Sequence, residues 1–246
     1  MNVFLLFFLI SGMCLQAQTK IIAHRGHWTV EGSAQNSIAS LKRAGSLPIY
    51  GTEFDVHLTK DQVLILNHDP VFHGKAISDH SYSALRRSGR LSNGEALPRL
   101  ARFFRVARRY PNLKLIVELK PGPTQLQEKL LVEKTLELVK RKRLESRVEY
   151  ISFSANVCRE LKQQNPASSV QYLRGDLSPI EVQQNGWNGI DYHFSLYQKN
   201  EKWSAQARSI GLTTNAWTVN DPKIFNQLVE LGVEYITTDY PNKFTK

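Results

Sequence analysis

The stretch Ile21-Ile22-Ala23-His24-Arg25-Gly26 is a short apolar run that ends abruptly in polar side chains. A second run, Gly51-Thr52-Glu53-Phe54-Asp55-Val56, carries two carboxylates among apolar residues, and residues 113–119 carry Glu118 in the same way. Apolar strands that end in polar, chemically active side chains are typical of parallel barrels, in which the carboxyl ends of the strands form the active site.

From this stretch to the end of the chain, short apolar runs alternate with amphipathic segments. Strands are predicted at residues 21–23, 51–56, 113–119, 148–153, 170–173, 189–192, 213–219 and 235–238. Helices are predicted at residues 36–44, 126–142, 156–164 and 222–231, the last with Asp221 as its N-cap and Pro222 in its first turn. The alternation predicts an α/β fold, a TIM-like (βα)8 barrel in one domain.

Residues 62–98 interrupt this alternation. Residues 63–67 have the pattern of an additional strand, and the remainder shows no long apolar period. We therefore predict a small insertion after the second barrel strand. Only residues 241–246 follow the last strand, which predicts a closing helix that is short or absent.

The N-terminal residues predict a signal peptide. Residues 3–15 form an apolar run that is shorter than the roughly 20 residues of a membrane-spanning helix, and Ala17 offers a small residue for cleavage. We expect residues 1–17 to be removed, residues 18–246 to fold, and the protein to be periplasmic or secreted, without stable membrane insertion. The alternative is a buried N-terminal strand. Cleavage leaves Cys158 as the single cysteine, so no internal disulfide is expected.

The chain has a formal net charge of +10 at pH 7. Two stretches hold much of its positive charge: Arg86, Arg87, Arg90, Arg99, Arg102, Arg105, Arg108 and Arg109, and Lys140, Arg141, Lys142, Arg143 and Arg147. Such clusters attract anions, but no nucleic-acid recognition motif accompanies them. We therefore expect no nucleic-acid partner and a small anionic substrate.

Three carboxylates predict a metal site. Glu53 and Asp55 are two residues apart on one strand, so both side chains leave the same face. Glu118 and Lys120 repeat this spacing on the next barrel strand. Carboxylates 4 Å apart repel by about 4 kcal/mol per pair at an effective dielectric constant of about 20, so the group needs a cation. Oxygen ligands favour one Mg²⁺ or Ca²⁺ ion, and Arg25 and Lys120 would then bind the anionic substrate.

Two histidines are candidates for acid–base catalysis. His24 ends the first strand, and His68 ends the additional strand. Two imidazoles near one metal ion can exchange the protons that ester hydrolysis needs near neutral pH. The other histidines, His27, His57, His73, His80 and His193, are expected at the surface or in loops. His57 is a rival metal ligand because it continues the alternation of Glu53 and Asp55.

Trp217 is a candidate for substrate binding. Strand alternation places its ring on the same side as Asn215 and Val219, near the predicted rim. There the indole would either contact an apolar or choline-like part of the substrate or pack in the core. The sequence leaves both interpretations open.

Taken in order, these motifs resemble the glycerophosphodiester phosphodiesterase family. The resemblance covers residues 21–241 and rests on His24-Arg25-Gly26, Asn36-Ser37, Glu53-Phe54-Asp55-Val56, Leu58-Thr59-Lys60-Asp61, His68-Asp69, Glu118-Leu119-Lys120, Ala216-Trp217-Thr218-Val219-Asn220 and Thr237-Thr238-Asp239-Tyr240-Pro241. It implies that Glu53, Asp55 and Glu118 bind the metal ion and that His24 and His68 are the acid–base pair. It also implies that residues 70–98 lie beside the alcohol groups of the substrate.

The sequence departs from the family pattern at two positions. Gln35 stands where the family usually has glutamate, which keeps a hydrogen-bonding group beside Arg25 but removes its charge. Gln62 replaces a usual glycine in the turn after Asp61, which indicates only a local change of turn.

The expected function is metal-dependent hydrolysis of glycerophosphodiesters to an alcohol and glycerol 3-phosphate. The resemblance implies a place in lipid metabolism, where an exported enzyme would recover glycerol phosphate from degraded phospholipids. Two alternatives remain at this point: a phospholipase D-like enzyme acting on intact lysolipids or sphingolipids, and an inactive barrel that binds anions.

Overall fold

The computed structural model describes residues 18–245. The predicted signal peptide, residues 1–17, lies outside the described residues, so its cleavage and the export of the protein stay predictions. Among the residues that the structure describes, no helix combines the length and the apolar character needed to cross a membrane.

Eight parallel strands form the closed barrel that the sequence predicts. They are β1 (Lys20–Ala23), β2 (Gly51–Leu58), β6 (Lys114–Leu119), β7 (Val148–Ser152), β8 (Val170–Tyr172), β9 (Gly189–His193), β10 (Thr213–Trp217) and β11 (Tyr235–Thr238). The strands outside the barrel are β3 (Leu64–Leu66), β4 (Val71–Phe72) and β5 (Lys75–Ala76). Closure is direct, because β1 pairs with both β11 and β2.

Helices follow most of the barrel strands. They are α1 (Ile38–Gly45), α2 (Tyr82–Ser88), α3 (Leu100–Ala107), α4 (Gln125–Lys142), α5 (Ala155–Gln164), α6 (Pro179–Gln184), α7 (Phe194–Lys199), α8 (Lys202–Ser209), α9 (Pro222–Glu230) and α10 (Pro241–Phe244). The four predicted helices correspond to α1, α4, α5 and α9. Helices α2, α3, α6, α7 and α8 were not predicted. Helices α6 and α7 have six residues each, and fewer than two turns show too little of a 3.6-residue period. The closing helix α10 has four residues, as the short C-terminal segment indicated.

The two faces of the barrel strands bury different residues. On the outer face Phe54 of β2 packs against Phe103 and Phe104 of α3, with ring centroids 4.4 and 6.2 Å away. On the inner face a separate apolar cluster contains Ile22, Ile116, Ile151 and Leu173. Ile22 and Ile116 fill the barrel interior, whereas Ile151 and Leu173 also line the cavity at the carboxyl ends of the strands.

The insertion after β2 has a small core of its own. Strand β3 pairs antiparallel with β2, and the buried residues of the insertion are Ile65, Phe72, Ile77, Leu85 and Leu97. Glu95 attaches it to the barrel, because its carboxylate accepts hydrogen bonds from the backbone N–H groups of Ile38 and Ala39 at the start of α1. The insertion therefore holds the segment after β3, including His68, in place.

One prediction about the histidines was wrong. His57 is a buried strand residue, with 8% of its surface exposed, although a surface or loop position was expected; His27 lies in a loop as expected but is also buried. His27 donates its backbone N–H to Ser40, and the burial of its ring lowers its pKa. His57 lies on the inner face of β2, where the insertion covers the strand. Cys158 is free and buried, as expected of a single structural thiol.

Candidate active site

The three predicted carboxylates come together at the carboxyl end of the barrel. Strands β2 and β6 are neighbours, and their register places Asp55 opposite Glu118. Each of Glu53, Asp55 and Glu118 offers an oxygen, and these three atoms lie within 4.8 Å of one another. All three side chains are buried. The prediction that these residues form one cluster is thus confirmed geometrically.

Crowding and burial separate the pKa values of the three groups. Burial, followed by the charges of Asp55 and Glu118, raises the pKa of Glu53 well above its ordinary value. Burial and the charge of Asp55 raise the pKa of Glu118 to about 8. Burial alone would also raise the pKa of Asp55, but the charges of Lys120 and Arg25 outweigh it and lower this pKa to about 2.

Two cations flank the cluster. Nζ of Lys120 lies 2.8 Å from Oδ1 of Asp55 and 2.7 Å from Oε1 of Glu118. Nε of Arg25 lies 3.6 Å from Oδ2 of Asp55. Although burial alone would lower the pKa of Lys120, its two carboxylate partners raise it, so the ammonium stays charged. With every group ionised, three carboxylates and two cations leave one negative charge in excess.

The oxygen atoms of Glu53 fit a role as metal ligand. Its Oε2 accepts the backbone N–H of Arg25 at 2.8 Å, whereas its buried Oε1 has no hydrogen-bond partner among residues 18–245. A buried carboxylate oxygen without a donor is costly unless a cation or a proton satisfies it. An all-oxygen set with excess negative charge suits a hard divalent ion such as Mg²⁺ or Ca²⁺.

The loop after β1 is held in an unusual backbone conformation. Arg25 has a φ of +54° and Gly26 a φ of +80°. A Cβ atom on Gly26 would lie 2.3 Å from the Ser40 hydroxyl oxygen, so only glycine fits there. This turn directs the backbone N–H of Arg25 at Glu53, while Nη1 of Arg25 donates to Oε1 of Gln35 at 2.7 Å. Gln35 therefore forms the hydrogen bond that the sequence analysis assigned to it.

Asn36 supports Asp55, a role that the sequence analysis missed. Its Nδ2 donates to Oδ2 of Asp55 at 2.8 Å, and its Oδ1 accepts the backbone N–H of Asp55 at 3.0 Å. Asn36 has a φ of +59°, a conformation that asparagine adopts more easily than most residues. The motif Asn36-Ser37 was the available signal, because Ser37 then caps α1 and fixes where the asparagine points.

His24 is oriented by Asp239. Nδ1 of His24 lies 2.8 Å from Oδ1 of Asp239, and Nε2 lies 4.0 Å from Oε2 of Glu53. Asp239 also accepts hydrogen bonds from Nε1 of Trp28 at 3.0 Å and from Nδ2 of Asn220 at 2.7 Å. Burial alone would raise the pKa of Asp239, but the hydrogen bond and charge of His24 outweigh it and lower this pKa.

His68 reaches the site from the insertion. Its Nδ1 lies 2.8 Å from Oδ1 of Asp69, and its backbone oxygen lies 3.3 Å from Nε2 of His57. Burial and the charge of Lys120 lower the pKa of His68. His57 thus contacts the backbone that carries His68, and it lies outside the carboxylate cluster formed by Glu53 and its two neighbours.

Comparisons with known proteins agree on one family. The family described as "Glycerophosphoryl diester phosphodiesterase family" matches residues 24–243. The chain belongs to this family.

Individual relatives support the assignment. A crystal structure of a glycerophosphodiester phosphodiesterase from Parabacteroides distasonis is 44% identical, with a TM-score of 0.90 over 92% of this chain and 94% of that one. The glycerophosphodiester phosphodiesterase of Caldanaerobacter subterraneus subsp. tengcongensis is 26% identical over 91% of this chain and 95% of that protein. An Oleispira antarctica phosphodiesterase, solved in complex with the product sn-glycerol-3-phosphate, is 23% identical, with a TM-score of 0.78 over 91% of this chain and 94% of that one. As a member of the glycerophosphoryl diester phosphodiesterase family, the chain is a phosphoric diester hydrolase.

A cavity of about 90 Å³ joins most of the predicted site residues of this phosphodiesterase. Its lining includes His24, Arg25, Glu53, His68, Glu118 and Trp217. Asp55 and Lys120 join the site through the ion pairs described above. The apolar side chains of Ile151, Phe153 and Leu173 form part of the wall.

Trp217 packs against neighbouring aromatic side chains and also lines the cavity. Its ring meets that of Phe153 at a centroid distance of 5.6 Å and that of His193 at 5.3 Å, and its Nε1 donates to the backbone oxygen of Asp191 at 2.8 Å. The remaining indole surface faces the cavity. The two interpretations that the sequence left open are therefore compatible in this phosphodiesterase.

Proposed function

We propose that this phosphodiesterase hydrolyses glycerophosphodiesters to an alcohol and glycerol 3-phosphate, with one divalent cation and a pair of histidines. The observation that carries the proposal is the buried trio of Glu53, Asp55 and Glu118 beside two imidazoles in one cavity. Glycerol 3-phosphate is proposed as product because the Oleispira antarctica relative was solved with it.

Glu53, Asp55 and Glu118 would hold the cation, either Mg²⁺ or Ca²⁺. When bound, such an ion acts as a Lewis acid that stabilises the charge developing on the phosphoryl oxygens. With the charges counted above, a divalent ion turns the excess of one negative charge into one positive charge. That charge matches the single negative charge of a phosphodiester.

Arg25 and Lys120 would bind and orient the phosphate. Nη1 of Arg25 is directed by Gln35, and its guanidinium offers further donors in a fixed plane. Lys120 is anchored between Asp55 and Glu118, so its ammonium is held in position before the substrate arrives. Cations preorganised in this way stabilise transition-state charge without reorganising during the reaction.

His24 and His68 would share the proton transfers. One removes the proton of the attacking oxygen, and the other protonates the leaving alcohol. Asp239 accepts from Nδ1 of His24, which leaves Nε2 directed toward the carboxylate cluster. The lowered pKa of His68 keeps its ring able to accept a proton at neutral pH. The attacking oxygen belongs either to water or to the neighbouring glycerol hydroxyl, and a cyclic phosphate product would identify the hydroxyl.

A soluble glycerophosphodiester fits the surface better than a whole lipid does. Among the described residues, the exposed large apolar side chains are Val71, Leu126 and Ile180, and only Val71 belongs to the insertion. An intact lipid would need a broad apolar entrance. We further propose that the protein acts after export, on the basis of the N-terminal sequence alone.

The test is the release of glycerol 3-phosphate from glycerophosphocholine by residues 18–246, with EDTA, Mg²⁺ and Ca²⁺ in parallel. The proposal predicts release that EDTA abolishes and one of the two metals restores. Release that is unchanged in EDTA would refute the metal requirement. Hydrolysis of a lysolipid in preference to glycerophosphocholine would refute the substrate class.

A further inference from the structure

We propose that Asp191 forms a subsite inside the barrel that hydrogen bonds a hydroxyl group of the substrate's glycerol moiety, an inference that rests on the proposed function. Asp191 lies on β9, opposite Asn215 of β10. Its neighbours Ile190 and Tyr192 belong to the core outside the barrel, so the alternation of the strand turns Asp191 inward. The structure thus places a fourth carboxyl group below the mouth of the barrel.

The carboxyl of Asp191 hydrogen bonds the side chain of Asn215 but, like that of Glu53, keeps one buried oxygen without a partner among the described residues. It is 1% exposed, and its Oδ1 has no hydrogen-bond partner among residues 18–245. Asp55, which is equally buried, is paired by Lys120 and Asn36, and Glu128 accepts a hydrogen bond from Asn156. An unsatisfied buried carboxyl destabilises a fold, so its presence in a working site calls for a ligand that satisfies it.

The cavity that Asp191 lines indicates which ligand satisfies its carboxyl. Asp191 lines the same cavity as His24, Glu53 and Glu118, so one continuous space joins it to the proposed metal and acid–base residues. The cavity of about 90 Å³ extends from these residues to Asp191. A substrate with its phosphate at the carboxylates would therefore place its nearest short alcohol portion toward Asp191.

The walls of the cavity fit a short polyol. Ile151, Phe153 and Leu173 offer an apolar surface to the carbon atoms, whereas Asp191 and Thr237 are polar. Oγ1 of Thr237 already donates to Asn215, which leaves Asp191 as the group with unused capacity. These features assign the part of the cavity beside Asp191 to the glycerol moiety.

Asp191→Leu removes both oxygen atoms and keeps the branched shape of the side chain, and Asp191→Asn keeps the hydrogen-bonding capacity. The matched control is Gln171→Leu, because Gln171 is also buried with an unpartnered Oε1 but does not line this cavity. Calorimetry on the metal-loaded protein measures the binding of sn-glycerol 3-phosphate, phosphocholine and inorganic phosphate. Thermal unfolding and turnover of glycerophosphocholine are recorded for the same variants.

The inference predicts that Asp191→Leu weakens glycerol 3-phosphate binding about 10-fold and leaves phosphocholine and inorganic phosphate within about twofold. Asp191→Asn should stay within about threefold of the parent protein. Gln171→Leu should bind all three ligands normally, and both leucine variants should remain folded at the temperature of the binding measurements.

Three results would overturn the inference. Equal weakening of all three ligands would show general damage to the site, and selective weakening of phosphocholine would assign the cavity to a cationic head group. Unchanged binding of glycerol 3-phosphate by Asp191→Leu would show that the carboxyl contacts no part of this ligand. Absence of turnover in the parent protein would instead refute the proposed function, and the binding measurements would still report on Asp191.

Discussion

Oδ1 of Asp239 lies 2.8 Å from Nδ1 of His24, and this contact turns the other ring nitrogen toward Glu53. Asp239 follows the last barrel strand and His24 follows the first, so closure of the barrel brings the two together. Trp28 and Asn220 hold the carboxylate in the same place. Asp239 is therefore a positioning residue that sets the orientation and the tautomer of His24.

Asp239→Asn should lower kcat by about 10- to 100-fold with little change in KM, because the ring of His24 loses the carboxylate that orients it and stabilises its charged form. Steady-state kinetics with glycerophosphocholine provide the measurement. The control is Asp221→Asn, which replaces one good N-cap of α9 by another and should leave kcat unchanged. A raised KM at constant kcat would contradict the positioning role.

Glu53→Gln should abolish metal-stimulated hydrolysis, because it removes the charge of one proposed ligand and keeps the shape of the side chain. The increase in unfolding temperature on adding Mg²⁺ or Ca²⁺ should fall in parallel. Glu128→Gln is the matched control, since Glu128 is a buried glutamate of α4 away from the metal cluster. Full metal-dependent activity in Glu53→Gln would exclude Glu53 as a ligand.

The stability of the metal-free protein should fall as pH rises from about 6.5 to about 8, above the range in which the buried histidines lose their protons. The folded state raises the pKa of Glu118 from 4.5 to about 8 and also raises that of Glu53, so over this range it binds protons that the unfolded chain has lost. A divalent ion replaces those protons, and the stabilisation that it provides should therefore grow with pH. Thermal unfolding at several pH values, in EDTA and in excess metal, measures both trends. A metal-free stability that rises over this range would contradict the raised pKa values.

Gly26→Ala should destabilise the protein by about 1–3 kcal/mol and reduce turnover, because a Cβ atom would meet Ser40 in a left-handed backbone conformation. Gly32→Ala isolates the backbone effect, since Gly32 has a similar φ of +73° and open space around its Cα. Its loss of stability should stay near 1 kcal/mol, with unchanged turnover. Urea unfolding separates the two variants. Equal losses would show that the contact with Ser40 is unimportant.

The barrel could be predicted from the sequence because its strands are short, apolar and regularly spaced. The ends of the elements shifted by a few residues: residues 213–219 were predicted as one strand, and β10 ends at Trp217. The short helices α6 and α7 escaped prediction because their periods are incomplete. The burial of His57 was also missed, because it depends on the insertion covering β2, a long-range contact with no local pattern.

In the site, too, local patterns could be predicted from the sequence, whereas long-range contacts could not. Spacing along β2 and β6 predicted the carboxylate cluster, since alternation fixes which side chains share a face. The contacts of Asn36 with Asp55 and of Asp239 with His24 required the closed barrel, because they join residues that are distant in the chain. Asp191 gave no signal in the sequence, since its role rests on a carboxyl oxygen without a partner among the described residues and on the cavity that it faces.

Metal binding and turnover, measured together in His24→Ala and His68→Ala, separate the role of the histidines from that of the carboxylates. Both variants should bind Mg²⁺ or Ca²⁺ as the parent protein does, because the three carboxylates are intact, and both should lose at least about 100-fold in the rate of glycerol 3-phosphate release. Near-normal turnover in either variant, with metal still bound, would contradict the assignment of the two histidines as the acid–base pair.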